Sequence, residues 1–257
     1  GLYGPTFEEY TCRFKDIDLK VPKTTGFRYG KNDVIYLAKE NDGVILINPD
    51  NPSGNFIPYQ DIIEILESLQ SENKYLILDE SFLDFAENGF DSSMLNTADL
   101  DRFPNLVVIK SIGKSYGVGG LRLGVLASSN TELVKNVKLN IPIWNINSVA
   151  EFYLQIIGKY TSDYQAACLR LIQVRGELME HLLEIDYLQP YESQANYIFC
   201  KVIGKDASQL ASDLCDQYSI LIKDCSGKGS IEGHYIRVAV RDTRDNEALV
   251  SSLKALS

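Results

Sequence analysis

Lys114 is the residue of this sequence with the clearest capacity for covalent chemistry, because its amine can form a Schiff base with a carbonyl group. It lies in a stretch from Ser111 to Gly124 that is rich in glycine and serine, and glycine lets a backbone approach a ligand closely. The apolar run at residues 106–109 predicts a buried strand of a parallel sheet. Lys114 would then follow the carboxyl end of a strand, where open α/β sheets bind their ligands.

Three interpretations compete for this lysine. A phosphate-binding P-loop is excluded, because the first glycine of that pattern would fall at Val108, inside the predicted strand. The second interpretation is a surface lysine in a flexible loop, which is the ordinary role of a lone lysine. The third is a lysine that forms a Schiff base with pyridoxal phosphate, and this interpretation requires partner residues elsewhere in the chain.

Polar residues follow two other apolar runs in the same way. The run at residues 44–47 leads into a turn-rich loop that contains Asn51, and the run at residues 75–78 ends in Asp79. A helical pattern separates these two runs, which is typical of an α/β fold with a mostly parallel sheet. Polar residues at three consecutive strand ends therefore predict one site at the carboxyl edge of the sheet.

The composition limits the class of protein. The formal net charge of −10 argues against a non-specific binder of nucleic acid or of anionic membranes, and no apolar run is long enough to span a bilayer. The five cysteines are scattered and suit neither a zinc site nor a disulfide framework, so reduced thiols and a cytoplasmic location are expected. The two histidines, His181 and His234, are too few for a histidine-rich metal site, and no metal is expected.

The pattern of apolar residues changes after residue 131. We predict a large α/β domain over residues 1–145, then a long linking helix and a small α+β domain over residues 146–257. Asn32 is a candidate N-cap for a helix over residues 32–39. The other predicted helices cover residues 58–70, 132–139, 148–159, 162–184, 207–217 and 244–256, and the later strands cover residues 196–202, 220–223 and 235–240.

Four motifs, in the right order, give the sequence a resemblance to the class I and II aminotransferases, which are fold-type I pyridoxal phosphate enzymes. Asn48-Pro49-Asp50-Asn51-Pro52-Ser53-Gly54 is similar to the family's N-P-x-N-P-[TS]-G, and Asp79-Glu80-Ser81-Phe82 is similar to its D-E-A-[YF]. Ser111 and Lys114 match S-x-x-K, followed by Arg122, and Arg237 matches an arginine near the C-terminus. The branch that the sequence resembles contains the histidinol-phosphate aminotransferases and the threonine-phosphate decarboxylases.

The resemblance implies a role for each matching residue around pyridoxal 5′-phosphate. Asn51 would donate a hydrogen bond to the oxygen on the cofactor ring, and Asp79 would pair with the pyridine nitrogen and keep it protonated. Lys114 would form the Schiff base and then move a proton at the substrate α-carbon. Ser111 and Arg122 would hold the cofactor phosphate by charge-assisted hydrogen bonds.

The same resemblance assigns further residues to the ring and to the substrate. Phe7 would stack on the cofactor ring, although ordinary core packing explains it nearly as well. Arg237 would bind the substrate carboxylate as a planar fork, with Asn196 nearby and Arg241 as a rival anchor. Phe82 stands where most of these aminotransferases have a tyrosine, and phenylalanine there is typical of the threonine-phosphate decarboxylase branch. Tyr116 and Tyr197 are interpreted as packing residues.

The resemblance implies an aminotransferase that moves the amino group of a small amino acid or amino phosphate to a keto acid. A pyridoxal phosphate decarboxylase is the alternative enzyme, and a cofactor-free binding module is the alternative from another class. The family's N-terminal part, with its glycine-rich phosphate loop, has no match before Phe7. We therefore expect a fragment of a longer or fused polypeptide whose activity alone is open. A homodimer is also expected, with a small-molecule substrate and no nucleic-acid or membrane partner.

Overall fold

The computed structural model describes residues 1–227 and 231–257, in which two β-sheets carry the elements. The strands of the first sheet are β1 (Leu2–Tyr3), β2 (Leu19–Lys20), β3 (Gly43–Ile47), β4 (Tyr75–Asp79), β5 (Leu106–Ser111) and β6 (Gly124–Ala127). Their order is β2-β1-β3-β4-β5-β6, and every neighbouring pair is parallel except β5 with β6, which is antiparallel. The predicted α/β fold with a mostly parallel sheet is confirmed.

The three central strands of this sheet end level with one another. Ile47 of β3 lies opposite Asp79 of β4, and Asp79 lies opposite Ile109 of β5. Strands β3 and β4 consist largely of β-branched and leucine residues, because both faces of a parallel sheet are covered. The loops that follow the three strands are therefore brought to one edge, as the sequence predicted.

Helices cover the first sheet and carry part of the site. α2 (Lys31–Lys39) and α3 (Tyr59–Ser71) contact each other and share an apolar core with the alternate residues of β3, β4 and β5. In α3, the buried residues recur at helical spacing, which places one apolar face on the sheet. The other α-helices of the first 156 residues are α1 (Glu8–Arg13), α4 (Thr97–Arg102), α5 (Ile112–Ser115), α6 (Thr131–Leu139) and α7 (Ser148–Ile156).

The second sheet is antiparallel and belongs to the C-terminal part of the chain. Its strands are β7 (Leu188–Tyr191), β8 (Tyr197–Val202), β9 (Lys223–Asp224) and β10 (His234–Ala239), in the order β7-β8-β10-β9. Three helices share an apolar core with this sheet: α8 (Thr161–Leu183), α9 (Ala207–Tyr218) and α10 (Thr243–Ala255). This arrangement matches the small α+β unit that the sequence predicted, while the domain boundary near residue 145 stays a prediction.

Some local predictions differ from the structure. The N-cap residue of α2 is Gly30 and not Asn32. The backbone N–H of Gly30 donates to the Asp33 carboxylate at 2.8 Å. The strand predicted over residues 220–223 is wrong, because only the two residues of β9 pair with β10 and Leu221 is 85% exposed. The sequence pattern also missed β1, β2 and β7, which are strands of only two to four residues.

A buried arginine on α8 joins the two parts of the molecule. Arg175 is 5% exposed, and its Nη1 donates to the carbonyl oxygen of Phe85 at 2.6 Å and to that of Ala195 at 3.0 Å. Phe85 follows the end of β4, and Ala195 precedes β8, so one guanidinium fixes the second sheet beside the site edge of the first. Among the described residues, no helix has the length and apolar character needed to cross a membrane.

Candidate active site

A cavity of about 780 Å³ opens where β3, β4 and β5 end. Its size is that of an ordinary small-molecule site. Seven residues that the sequence predicted for cofactor binding line this single cavity: Phe7, Asn51, Asp79, Phe82, Ser111, Lys114 and Arg122. The structure thus brings together residues that are up to 115 positions apart (122 − 7) in the chain.

Lys114 lies on α5, a single helical turn that directly follows β5. A Cβ atom on Gly113 would lie 3.0 Å from Cα of Gly119, so glycine at position 113 allows this turn to pack closely on the next loop. Nζ of Lys114 lies 6.0 Å from the centre of the Phe82 ring. Among the described residues, no carboxylate lies within ion-pair distance of Nζ of Lys114.

A second lysine, Lys110, lines the same cavity but is differently placed. Its Nζ lies 2.5 Å from Oδ1 of Asp84, which is almost fully buried. The other carboxylate oxygen of Asp84 accepts a hydrogen bond from the Tyr164 hydroxyl at 2.5 Å. An ammonium held in this ion pair is a poor nucleophile, so Lys114 is the better placed of the two lysines for a Schiff base.

Asp79 stands at the end of β4 with both carboxylate oxygens directed by neighbours. Oδ2 accepts a hydrogen bond from the Tyr10 hydroxyl at 2.7 Å, and Oδ1 accepts one from the backbone N–H of Ser81 at 2.9 Å. Burial, and then the nearby Asp79 carboxylate, raises the pKa of Tyr10 well above its ordinary value. Tyr10 therefore remains a donor to Asp79 over the whole working range of pH.

The side chain of Asn51 is held by Arg237, a residue of the second sheet. Its Oδ1 accepts a hydrogen bond from Nη1 of Arg237 at 2.5 Å, although the two residues are 186 positions apart. Because arginine only donates, the contacting atom of Asn51 must be its oxygen, and the amide nitrogen faces the other way. The side chain of Asn51 lines the cavity, so it can offer that nitrogen as a donor to a bound ring oxygen.

The loop that carries Asn51 is anchored by a buried acid. Asp50 is 1% exposed, and its carboxylate accepts hydrogen bonds from the hydroxyls of Thr6 at 3.1 Å and of Ser53 at 2.5 Å. Burial raises the pKa of Asp50 to about 7, and the two hydroxyl donors oppose part of that shift. Thr6 directly precedes Phe7, so this acid also fixes the position of the predicted stacking ring.

Ser111 and Arg122, which the resemblance assigns to the cofactor phosphate, both line the cavity. The backbone N–H of Ser111 donates to the Ser81 hydroxyl at 2.9 Å, which ties the start of α5 to the loop after β4. Arg122 has a positive φ of 59°, and its Nη1 donates to the carbonyl oxygen of Gly119 at 3.2 Å. The turn aims a guanidinium at the cavity, where it can pair with a phosphate.

A second cavity of about 670 Å³ adjoins the first and shares Phe7, Asn51, Phe82 and Lys114 with it. The sequence-predicted substrate residues Asn196 and Arg237 line this second cavity. Arg241, the rival anchor, lies elsewhere: its side chain is 68% exposed and forms an ion pair with Asp245. The structure therefore places Arg237, and not Arg241, within reach of a ligand bound at Lys114.

The structure also adds residues that sequence reasoning did not assign to the site. Lys223 lines the second cavity and lies directly opposite Arg237 in the β9–β10 pair, so both side chains point to the same face. Tyr10 recurs three residues after Phe7, one turn along α1, and this spacing was the available signal for it. Tyr197, interpreted from the sequence as packing, contacts residues of both cavities.

The donor set of the first cavity fits pyridoxal 5′-phosphate. The amine of Lys114, the carboxylate of Asp79 and the amide of Asn51 line this cavity with two phenyl rings, and a guanidinium and a hydroxyl line the same cavity. A carboxylate suits a protonated pyridine nitrogen, and a guanidinium suits a phosphate. Among residues 1–227 and 231–257, no group of three or more His, Cys, Asp or Glu side chains is arranged to hold a metal ion.

Comparisons with known proteins also point to a pyridoxal phosphate enzyme family. The sequence profile of the family "Aminotransferase class I and II" matches residues 3–253. L-serine phosphate decarboxylase of Sulfurospirillum multivorans is 30% identical over all of this chain and 67% of its own length. Histidinol-phosphate aminotransferase of Flavobacterium psychrophilum is 28% identical over all of this chain and 69% of its own length.

The fold is shared with solved structures of the same branch. A decarboxylase from Sulfurospirillum multivorans superposes with a TM-score of 0.87 and 27% identity, over 99% of this chain and 74% of that one. The chain spans between 33% and 67% of the length of four curated relatives that it matches. The resemblance drawn from the four sequence motifs is confirmed. This chain belongs to the aminotransferase class I and II family, whose cofactor is pyridoxal 5′-phosphate.

Proposed function

We propose that this site decarboxylates a small α-amino acid that carries a second acidic group, such as an O-phosphate. The main support for the proposal is a pair of cations, Lys223 and Arg237. They are paired neighbours on β9 and β10, and both line the second cavity. Among the described residues, the charged groups that line this cavity are three cations, Lys114, Lys223 and Arg237, and one carboxylate, Asp224. A net positive wall suits a substrate with two anionic groups.

The relatives support the choice of reaction. Proteins named L-serine phosphate decarboxylase are 30% identical to this chain, and the decarboxylase of Sulfurospirillum multivorans shares its fold. Phe82 supports the same choice, since the sequence pattern of the threonine-phosphate decarboxylases has phenylalanine at this position. A carboxylate that leaves as carbon dioxide must not be fixed by a strong ion pair, so we assign the phosphate of the substrate to Arg237 and Lys223.

The residues of the chain act around the cofactor in distinct ways. Bound pyridoxal phosphate supplies an electron sink for the pair of electrons left on the substrate α-carbon. Asp79 would hold the proton on the pyridine nitrogen, and the Tyr10 hydroxyl orients Asp79 by donating to its Oδ2. Asn51 would donate a hydrogen bond to the ring oxygen, and Nζ of Lys114 would deliver a proton to the substrate α-carbon once the carboxylate has left as carbon dioxide.

Transamination is the second candidate, and Arg237 is the observation that favours it. A single planar guanidinium beside Asn51 can hold an α-carboxylate bidentately, which leaves the α-proton to be removed by Lys114. In this alternative, the amino group of a small amino acid or amino phosphate passes to a keto acid. The two reactions use the same residues and differ in which acidic group Arg237 holds.

The test is a product assay with carboxyl-radiolabelled L-serine O-phosphate, in the presence of pyridoxal phosphate and a keto-acid acceptor. Decarboxylation predicts radiolabelled carbon dioxide that depends on Lys114 and that falls when Lys223→Met weakens binding of the phosphate. Lys201→Met, a change of a lysine that lines neither cavity, is the matched control. Keto-acid formation without carbon dioxide would establish transamination instead. Cofactor incorporation with neither product would reject both reactions for this substrate.

A homodimer is proposed for the same chain. The segment before and along α7 exposes large apolar side chains, among them Ile143 at 87% and Trp144 at 93% of their surface. Exposed apolar patches of this kind mark protein interfaces. Sedimentation velocity should give a dimer that Trp144→Glu dissociates, whereas a monomer for the unchanged chain at high concentration would contradict this proposal.

A further inference from the structure

Tyr197 begins β8, and its hydroxyl reaches the loop that carries Asn51. The side chain is 4% exposed, and its hydroxyl donates to the carbonyl oxygen of Asp50 at 2.8 Å. The same carbonyl oxygen also accepts from the backbone N–H of Gly54 at 2.8 Å. Burial raises the pKa of Tyr197 well above its ordinary value, so the hydroxyl keeps its proton and remains a donor. The carbonyl group next to Asn51 is thus fixed from the second sheet.

The ring of Tyr197 contacts Phe82, which lines both cavities, and Arg237, which lines the second cavity. Phe82 meets it edge to face, with ring centres 5.2 Å apart and an angle of 81° between the planes. The guanidinium carbon of Arg237 lies 4.8 Å from the centre of the same ring. Tyr197 lies opposite Ala239 in the β8–β10 ladder, so Arg237 is its diagonal neighbour and reaches the ring face.

These contacts link Tyr197, Asp50, Asn51 and Arg237 in a closed ring of interactions. Arg237 donates to Asn51, Asn51 follows Asp50, the Asp50 carbonyl accepts from Tyr197, and the Tyr197 ring supports Arg237. Asn51 belongs to the predicted cofactor residues, and Arg237 to the predicted substrate residues. A displacement of Tyr197 would therefore release both at once.

We propose that Tyr197 is a positioning residue, which holds Asn51 at the cofactor and Arg237 at the substrate in one arrangement through its hydroxyl and its ring. The inference rests on the proposed function for the role of Arg237, and on the family's cofactor for that of Asn51. The hydroxyl orients the loop of Asn51 by fixing the Asp50 carbonyl. The ring face gives the guanidinium of Arg237 a second support when a substrate anion draws it from Asn51.

The decisive variant is Tyr197→Phe, which removes one oxygen atom and keeps the ring. Its matched control is Tyr187→Phe, because Tyr187 is also buried and its hydroxyl also donates to a backbone carbonyl, that of Leu253, at 2.6 Å in the core of the second sheet. Both variants lose a hydrogen bond to a carbonyl. We expect Tyr197→Phe to raise the dissociation constant of pyridoxal phosphate roughly three- to tenfold, as the loss of one buried hydrogen bond would.

The same measurement separates a positioning role from a structural one. Tyr187→Phe should lower the free energy of unfolding as much as Tyr197→Phe does, yet leave the cofactor dissociation constant unchanged. If both variants lower stability and neither changes cofactor binding, Tyr197 is only a packing residue and the proposal is overturned. Cofactor binding is followed without substrate, so this comparison decides the role of the hydroxyl even if the proposed reaction fails.

The role of the ring is tested with Tyr197→Leu and L-serine O-phosphate. Tyr197→Leu should raise KM further than Tyr197→Phe does, because the support under Arg237 is lost, while Arg237→Gln should abolish this difference between the two variants. Equal KM values for the phenylalanine and leucine variants would overturn the assignment of the ring. If no turnover is found with any variant, binding of the same amino acid phosphate to the cofactor-loaded protein replaces KM.

Discussion

The hydroxyl of Tyr10 donates to Oδ2 of Asp79 at 2.7 Å and joins α1 to the end of β4. Asp79 has two carboxylate oxygens, and the backbone N–H of Ser81 binds the other one. The carboxylate is thereby held in a fixed orientation at the floor of the cavity. A fixed negative charge is what a protonated pyridine ring requires, since charge placed in advance costs no reorganisation during the reaction.

Replacing Tyr10 with phenylalanine should lower turnover about tenfold, which is the lower end of the effect of a hydrogen bond to a charged group. The phenylalanine ring keeps the packing of α1 and leaves the Asp79 carboxylate without its side-chain donor. Steady-state kinetics with a saturating amount of cofactor measure the effect. Tyr3→Phe is the matched control, because the hydroxyl of Tyr3 donates to the backbone oxygen of Asp33 outside the cavity. Equal losses in both variants would show that Tyr10 acts only on stability.

Asp79→Ala should abolish turnover while the cofactor still attaches covalently to the protein. Without the Asp79 carboxylate, the pyridine nitrogen would lose the charged partner that favours its protonated form, so the ring would accept electrons poorly. Absorbance of the bound cofactor reports attachment, and product formation reports turnover. Asp42→Ala, an exposed carboxylate beyond the amino end of β3, serves as the control. Near-normal activity of Asp79→Ala would mean that Asp79 is not the partner of the nitrogen.

The fold, and the meeting of three polar residues at one edge of the sheet, could be predicted because both depend on local signals. Apolar runs of strand length and the polar residues that follow them are read directly along the chain, and parallel pairing then brings their carboxyl ends together. Asn51, Asp79 and Lys114 share one cavity for this reason.

The remaining site residues depend on tertiary pairing that no local pattern encodes. Lys223 enters the site only because β9 pairs with β10 in a register that sets it opposite Arg237. The two-residue strand has too few residues for an alternating pattern, and the strand predicted there was placed over residues 220–223 instead. Tyr197 was interpreted as packing because its contact with Asp50 spans 147 residues of sequence.

Asp50 should make the stability of the protein depend on pH. Its pKa is about 7 in the folded protein and 3.8 ordinarily, so the folded state holds this proton more tightly than the unfolded state does. The contribution is complete below the ordinary value and is lost as the pH rises to about 7, with a change on the order of a few kcal/mol.

Asp50→Asn removes this titration and keeps groups that can bond to Thr6 and Ser53. Relative to the unchanged protein, the variant should therefore gain in free energy of unfolding between about pH 4 and about pH 8. Urea denaturation at the two pH values measures the difference, with Asp101→Asn as a control for the loss of an exposed carboxylate. A difference between Asp50→Asn and the unchanged protein that is constant with pH would contradict the assignment of this proton to Asp50.

Borohydride reduction of the cofactor-loaded protein, followed by peptide mapping, tests most directly whether this cavity binds pyridoxal phosphate through Lys114. Of the residues that the structure describes, two lysines line the cavity, and the ion pair with Asp84 makes Lys110 the poorer nucleophile. The expected result is one labelled peptide that contains Lys114, and the loss of all label in Lys114→Ala. A label on Lys110 or on any other lysine, with Lys114 unmodified, would contradict the account of this site.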